Sequence, residues 1–464
     1  MSQPDTTLIA CPRCQQPLSL PQPARLQCAA CRVSFPLLNQ RIPLLYPNPN
    51  AALLDWRNRM AAALAELAAQ QQQTNQALKT ASTAAKVRLS TLSQGLQAHQ
   101  QELHSLLEPL GIADEIAREL YQVMDNQIAT HHGVLSYMPQ VFRDWCWGDD
   151  EIQAVMAHLS ELLQAQLPSQ PRLLILGSGA ARLAYELHQY AGAGSVTVCL
   201  DSNPLLSLLA QKMTDGDQVS LTEFPLAPVD AQRIAVTQTL LGRQADPGFE
   251  VICADASTVP LADNSFDLVV TPWLIDVIDS GLPHLLDQIQ RVLKIGGLWL
   301  NHGSLAFQGH PGQRLGAEEV VEIADSYGFT TQHSHDIELP YLHSPHSRQH
   351  RNELVHTLLA SKINSPTRNQ SPQQYWPDWL GDTSLAVPFT PAFKAQLTHV
   401  RIHGFIMGLI DGKRSINDMA DVMEEQRLMP KAQARQALKG FIQTMVEEAR
   451  HRDGAGALSI PDEA

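Results

Sequence analysis

Arg172-Leu-Leu-Ile-Leu-Gly177-Ser-Gly179-Ala-Ala-Arg182-Leu-Ala184 is the stretch on which the reading of this 464-residue chain turns. An apolar run, a glycine turn and a helical start predict a buried strand, a tight turn and a helix. Glycines at the carboxyl end of a first strand let a ligand approach the backbone closely, at the usual binding edge of an open α/β sheet. The alternation continues downstream. Ser195–Leu200 ends in Asp201, Phe249–Ala254 ends in Asp255, and Phe266–Thr271 runs into Pro272-Trp273-Leu-Ile-Asp276. Ile289–Asn301 then reads as helix, Gly296-Gly297 turn and strand. Asp201 lies 22 residues beyond Gly179, where a ribose-binding carboxylate is expected. A phosphate-binding turn fits less well, because Ala181 stands at the third glycine of the dinucleotide fingerprint and no P-loop lysine is present.

Around this segment, length and composition set bounds. A chain of 464 residues suggests two to four domains, and 44% hydrophobic with 17% charged residues excludes disordered and collagen-like classes. No run of about 18 apolar residues predicts a membrane span. The start, MSQPDTTLIACPRC, lacks a basic segment and a long apolar core, so a cytoplasmic location is expected. The formal net charge of −14 argues against a general nucleic-acid binder. That charge is uneven: +3 over residues 1–50, −2 over 51–130, −14 over 131–362 and −1 over 363–464.

Cys11-Pro-Arg-Cys14 and Cys28-Ala-Ala-Cys31 form two knuckles whose four thiolates suit a tetrahedral, structural Zn²⁺. Two disulfides are the alternative, disfavoured in an intracellular chain. With sulfur at all four positions no ligand site is left open for metal catalysis. Residues 49–125 read as a helical spacer. Leu53, Trp56, Met60, Leu64 and Leu67 keep helical spacing, Leu92, Leu96, Leu103 and Leu106 resume it, and a hairpin break is expected midway or at Gly95. Residues 363–385 read as a linker, and 386–455 as a small helical unit in which Ser415 or Asn417 caps a helix.

Several of these patterns resemble known families. The order of glycine turn, acid after strand two, Asp after strand three and Lys-x-Gly-Gly turn is similar to that of class I S-adenosylmethionine methyltransferases. The fold this implies for residues 126–362 is α/β, a doubly wound and mostly parallel sheet. More narrowly, the domain resembles the carnosine N-methyltransferase family. Gln140-Val-Phe-Arg143-Asp144-Trp145 matches its Gln-x-x-Arg-Asp-Trp helix, Gly177-Ser-Gly179-Ala-Ala181-Arg182-Leu-Ala its glycine turn, and Ile275-Asp276 its Ile-Asp. Asn301-His-Gly303-Ser-Leu305 is similar to its Asn-x-Gly-Pro-Leu. Residues 1–48, through LIACPRCQQPL and LQCAACRVSFPLLNQRIPLLYP, resemble the Trm112-like zinc ribbon, whose members often partner methyltransferases. Asp411-Gly-Lys-Arg-Ser-Ile-Asn-Asp-Met-Ala420 resembles PqqD-like peptide-recognition domains.

By the resemblance, Gln140, Arg143, Gly177 and Gly179 contact the methionine end of S-adenosylmethionine. Asp201 binds the ribose, Asp255 and Ala256 flank the adenine, and Pro272 belongs to the same cofactor site. Asp276 faces the methyl-accepting group as the catalytic carboxylate; capping a helix is its structural alternative. Where the family places a substrate histidine this chain has Gln308, with His310 nearby; where it places tyrosines the chain has His350-Arg351-Asn352. Gln308, His310, His350 and Asn352 are therefore the candidate acceptor contacts. The run His343-Ser-Pro-His346-Ser-Arg-Gln-His350 has no standard zinc spacing and reads as solvated loop.

The resulting expectation is an N-methyltransferase acting on an imidazole of a histidine-containing peptide or protein, with a protein partner engaged through the ribbon or the tail. RNA methylation and a non-catalytic scaffold are the alternatives. Base methylation at N6 or N4 typically wants Asn/Asp-Pro-Pro-aromatic after strand four, and this chain has Thr271-Pro272-Trp273-Leu274 there.

Overall fold

The computed structural model describes residues 7–22, 25–112, 134–278, 280–307, 314–364 and 386–453. The linker is thus largely outside the described residues, as are residues 113–125 of the helical segment and both Gln308 and His310. The chain divides into two units, Met1–Pro366 and Thr367–Ala464.

Four short antiparallel strands open the first unit: β1 (Ser19–Gln22), β2 (Arg25–Cys28), β3 (Val33–Leu38) and β4 (Ile42–Pro43). Two helices follow, α1 (Pro49–Thr80) and α2 (Thr83–Leu107). The break falls at Ala81–Ser82, where the Ser82 hydroxyl accepts the Ala85 N–H and caps α2. Gly95, the other expected break, stays helical and buried; its lack of a side chain admits Ala235. Nor do the helices act as a spacer. Their leucine stripe, Leu64, Leu67, Leu96, Leu103 and Leu106, joins the core on one face of the main sheet.

Next come α3 (Met138–Phe142), which runs on as one π-helical turn over Arg143–Trp147, then α4 (Asp149–Leu163) and β5 (Arg172–Leu176). After β5 the chain alternates: α5 (Arg182–Ala191), β6 (Val196–Asp201), α6 (Pro204–Thr214), then the hairpin β7 (Gln218–Glu223) and β8 (Val236–Leu241). The remaining elements are β9 (Phe249–Cys253), β10 (Phe266–Pro272), α7 (Gly281–Val292), β11 (Leu293–Gly303), α8 (Ala317–Ser326), β12 (Phe329–Tyr341) and β13 (Arg351–Lys362).

The seven-stranded sheet has the order β12-β13-β11-β10-β5-β6-β9. Strands β9, β6, β5, β10 and β11 run parallel; β13 pairs antiparallel with β11 and with β12. This is the doubly wound α/β fold of the class I methyltransferases. Strand order reverses at β5, which makes the carboxyl ends of β5 and its neighbours the ligand-binding edge. Alternation along the strands serves two cores. Leu173, Ile175, Val270 and Leu300 face the layer containing α1, α2, α4 and α6. Leu174, Leu176, Val269 and Trp299 face α7 and α8.

The outer edge of β9 is covered by the cysteine-bearing ribbon. Leu45 N–H donates to Cys253 C=O (2.8 Å), Ala10 N–H to Pro260 C=O (2.9 Å) and Ala262 N–H to Leu8 C=O (2.9 Å). Arg41 pairs with Asp215 beyond α6 at 2.8 Å. An exposed edge strand would otherwise present unpaired backbone groups.

The second unit holds α9 (Pro391–Leu409), α10 (Ile416–Glu425) and α11 (Lys431–Asp453) around Ile406, Met419, Met423 and Leu438. Ser415, not Asn417, caps α10. Its hydroxyl accepts the Asp418 N–H (3.2 Å), and its own N–H donates back to the Asp418 carboxylate (2.8 Å). Among the described residues no helix is long and apolar enough to cross a membrane.

Gly95→Ala separates local propensity from packing. Alanine favours the helix by about 1 kcal/mol. Its Cβ, however, would lie well under 3.0 Å from the Ala235 methyl, which is fixed to the backbone. Overpacking of this kind costs about 1–3 kcal/mol. The expected result is a lower melting temperature by calorimetry; an unchanged or raised one would show that the 235 loop yields freely.

Candidate active site

Three residues of the turn after β5 have left-handed backbone: Gly177 (φ +71°), Gly179 (φ +55°) and Ala181 (φ +65°). Ala181, standing where the family resemblance places a glycine, bears the strain of that conformation. The Gly179 N–H donates to one oxygen of Asp201 (2.9 Å) and the Asn203 N–H to the other (2.8 Å), so the turn and the end of β6 are tied together. With the Ser202 N–H also directed at the carboxylate, at least one lone pair remains for a further donor. Burial pushes Asp201 up to about 6 even though the backbone N–H groups favour its ionised form. At the end of β9, Asp255 accepts the Ser257 N–H (2.7 Å) and shapes a short turn containing buried Ala256.

Tyr46, from the ribbon, reaches the same edge. Its hydroxyl donates to the C=O of Ser202, the residue after Asp201, and accepts from Trp56 Nε1–H at 3.3 Å. Burial, with Cys253, Asp255 and Asp201 nearby, raises the Tyr46 phenol well above its usual range. Sequence reading treated this tyrosine only as the end of the ribbon motif; nothing local links it to Ser202, 156 residues away.

Across β5, the π-helical turn presents Arg143. Its guanidinium donates to Asp144 at 2.7 and 2.9 Å and lies over the rings of Trp273 (5.7 Å) and Tyr341 (5.6 Å). Gln140 donates from Nε2 to the Tyr341 hydroxyl (3.2 Å), leaving its buried Oε1 without a partner among the described residues. Pro272, half-buried, ends β10 opposite His302. The next residue, Trp273, has φ +44°, an outlier for so bulky a side chain. Its N–H donates to His302 C=O (2.9 Å) and its indole to Glu353 (3.1 Å). Gly303 permits this crossing, since a Cβ there would sit 2.6 Å from the Trp273 nitrogen.

Asp276 is 6% exposed. One carboxylate oxygen accepts the Ser304 hydroxyl (2.7 Å) and the Ala306 N–H (2.9 Å). The other is buried with no partner among the described residues. Ser304 and Ala306 also line a cleft of about 310 Å³ with Leu305, Asp336, Leu354 and His356. His356 Nδ1 donates to Asp336 (2.7 Å), which leaves Nε2 to accept from the Ser334 hydroxyl (3.3 Å). This pair was missed because its members lie 20 residues apart and meet only through the β12–β13 register. The expected acceptor contacts His350 and Asn352 do not line the cleft. His350 stacks on His343 (4.9 Å) and bonds Ser344 C=O, and Asn352 donates to Glu338 (2.8 Å). The histidine-rich loop is thus anchored by its own bonds and by others to Glu151, Glu223 and the 227–229 segment, and not free in solvent.

The four cysteine sulfurs lie within 4.8 Å of one another, with Cys14 and Cys28 3.6 Å apart and no disulfide between any of them. Thiolates about 2.3 Å from one Zn²⁺ would be spaced similarly, so the cluster suits a metal. Among the described residues no other group of three or more His, Cys, Asp or Glu side chains is close enough to hold one.

The strand order and the open carboxyl edge beside β5 are those of the class I methyltransferase fold. Residues 203–358 match the family model described as carnosine N-methyltransferase. The rat (Rattus norvegicus) carnosine N-methyltransferase is 25% identical over 189 residues, and the mouse (Mus musculus) protein 24%. Each alignment covers 35% of this chain and 44% of the relative, so the chain spans less than half the length of the curated relatives it matches. Among solved structures, a SAM-dependent methyltransferase from Aquifex aeolicus aligns with 48% of this chain and 92% of its own, at 12% identity and TM-score 0.31. A Methanosarcina mazei SAM-dependent methyltransferase aligns with 44% of this chain and 97% of its own, at 16% identity and TM-score 0.32.

The donor set fits S-adenosylmethionine. The unpartnered Gln140 oxygen suits an ammonium, the Asp201 carboxylate suits ribose hydroxyls, and among the described residues no atom other than those of its chain neighbours lies within 4 Å of where a Gly179 Cβ would point. Hydroxyl donors stabilise ionised Asp201, so binding at this edge releases a proton once the pH approaches 6. S-Adenosylhomocysteine affinity by calorimetry is expected to fall about fourfold from pH 7.5 to pH 5.5. Asp201→Asn should bind more weakly and flatten the profile; a pH-independent affinity of the unaltered protein would contradict the assignment. Tyr46→Phe, which removes the hydroxyl bonded to Ser202 and keeps the ring packed, is expected to weaken the same binding severalfold with little loss of thermal stability, and equal affinity would remove the Tyr46 hydroxyl from the site.

Proposed function

We propose that this chain transfers a methyl group from S-adenosylmethionine to a ring nitrogen of an imidazole in a histidine-containing peptide or protein. The observation that carries the reading is the Asp276 carboxylate, with one oxygen anchored by Ser304 and Ala306 and the other buried and unpartnered. A buried oxygen without a donor costs about 1–3 kcal/mol, which an acceptor N–H at this position would offset. The family match over residues 203–358 and the rat and mouse relatives support the imidazole as acceptor.

In this reading Gln140 and Arg143 hold the amino-acid end of S-adenosylmethionine, and Gly177 and Gly179 let it approach the backbone. Asp201 takes the ribose; Asp255, Ala256 and Pro272 border the base and the transfer site. The sulfonium supplies an already activated methyl group, so the protein chiefly has to align the acceptor. Asp276 accepts the acceptor's ring N–H, which fixes the tautomer whose other nitrogen is nucleophilic, and takes up the proton released as that nitrogen is alkylated. Asp336 and His356 form a polar wall of the acceptor cleft beside it. Cys11, Cys14, Cys28 and Cys31 would hold a Zn²⁺ that ties the two knuckles together, and with sulfur at all four positions that ion would have no open site for the transfer.

The test is methyl transfer to carnosine and to histidine-containing peptides, read by mass spectrometry. Asp276→Asn should lower turnover at least a hundredfold, in the range typical of lost general-base catalysis, while S-adenosylhomocysteine affinity stays within about threefold. Full turnover in that variant would remove Asp276 from the chemistry, and no transfer to any imidazole would overturn the acceptor class.

A further inference from the structure

The positive balance of the ribbon collects in one place. Arg13 from the first knuckle, Arg25 on β2 and Arg32 next to Cys31 line a single cavity of about 430 Å³. Ser34, Asn48 and Asn50 add polar groups to its wall, and no carboxylate of the described residues lines it. The Arg13 guanidinium is fixed by donating to Pro47 C=O and to the Asn48 side-chain oxygen. Arg25 and Arg32 are exposed and pair with no carboxylate among the described residues. Arg32 has a left-handed backbone (φ +55°), set by the turn that also carries Cys31. The two knuckles therefore set the backbone positions of two of the three arginines, although like charges gathered around one small volume repel.

We propose that this cavity is a phosphate-binding site, separate from the methyl-transfer edge, that takes the phosphate groups of a nucleotide or of a nucleic-acid backbone. Planar guanidinium forks match phosphate oxygens two at a time. A tetrahedral dianion offers oxygens in several directions to the three arginines that line one cavity, whereas a side-chain carboxylate offers two coplanar oxygens and a single charge. The start of α1 adds to this. Pro49, Asn50 and Ala51 lie on the cavity wall, the helix has no acidic residue in its first turn, and the Asn48 side chain is turned to Arg13 instead of capping it. None of the lining residues belongs to the methyl-transfer edge, and residues 1–50 are the one segment of the four with a positive balance, which favours an anion there.

The experiment is calorimetric titration of inorganic pyrophosphate into the full chain at low ionic strength, with S-adenosylhomocysteine binding as the check on the fold. The unaltered protein should bind saturably and more weakly as salt is added. Arg25→Ala combined with Arg32→Ala should weaken binding at least tenfold and leave S-adenosylhomocysteine affinity unchanged. Arg32→Lys, which keeps the charge and loses the fork, should fall between. Displacement of pyrophosphate by a short single-stranded oligonucleotide would identify a nucleic-acid backbone as the source of the phosphate; failure to displace it would identify a free phosphorylated ligand. The proposal is overturned by absence of saturable binding, by equal binding in the double variant, or by a polyglutamate peptide that binds as tightly as pyrophosphate.

Discussion

Five parallel strands buried on both faces have to be covered by something at each edge as well, and that requirement organises the first unit of this chain. Helices from both halves of the sequence pack the two faces. On one side β13 and β12 continue the sheet; on the other the ribbon bonds along β9 through Leu45 and through the residues around Leu8. What is left open is the carboxyl edge on either side of β5. The polar groups that would be costly anywhere else in this sheet gather there: Asp201, Arg143, Gln140 and Asp276.

Closure of the edges also explains why the ribbon and the helix pair are more than appendages. Tyr46 ends the ribbon and bonds the residue after Asp201, so the segment that protects β9 shapes the same loop that carries the ribose-binding candidate. On the opposite side of β5 the constraint is steric. Gly303 lets the Trp273 backbone cross β11, and Trp273 accepts a positive φ held by His302 and Glu353. Three residues later the chain delivers Asp276 to Ser304 and Ala306, just beyond that glycine. Strain at Trp273 and the unpartnered Asp276 oxygen are thus neighbouring consequences of one close approach.

What could be read from sequence was whatever is local. Apolar strand runs, the glycine turn, and acids placed at strand ends announced the sheet and most of the polar groups at its carboxyl edge, because a strand, its turn and its terminal carboxylate are encoded within a few residues. The four cysteines were equally plain from their spacing. Long-range geometry was not. The helix pair has good periodicity but no local sign of what it packs against, so it read as a spacer. Asp336 and His356 meet only through the pairing of β12 with β13, while His350 and Asn352, close to the expected position, bond within their own hairpin. Three arginines scattered over twenty residues looked like an ordinary solvated surface until the knuckles brought them round one cavity.

The central claim is that the carboxyl edge holds the cofactor with its sulfur end toward Asp276. A crystal structure with S-adenosylhomocysteine and an imidazole dipeptide tests it most directly. The expected complex has ribose hydroxyls on Asp201, the homocysteine amino-acid group at Gln140 and Arg143, and an imidazole N–H on the free oxygen of Asp276 with its other nitrogen aimed at the sulfur. An imidazole bound away from Asp276, or a sulfur facing away from that carboxylate, would contradict it.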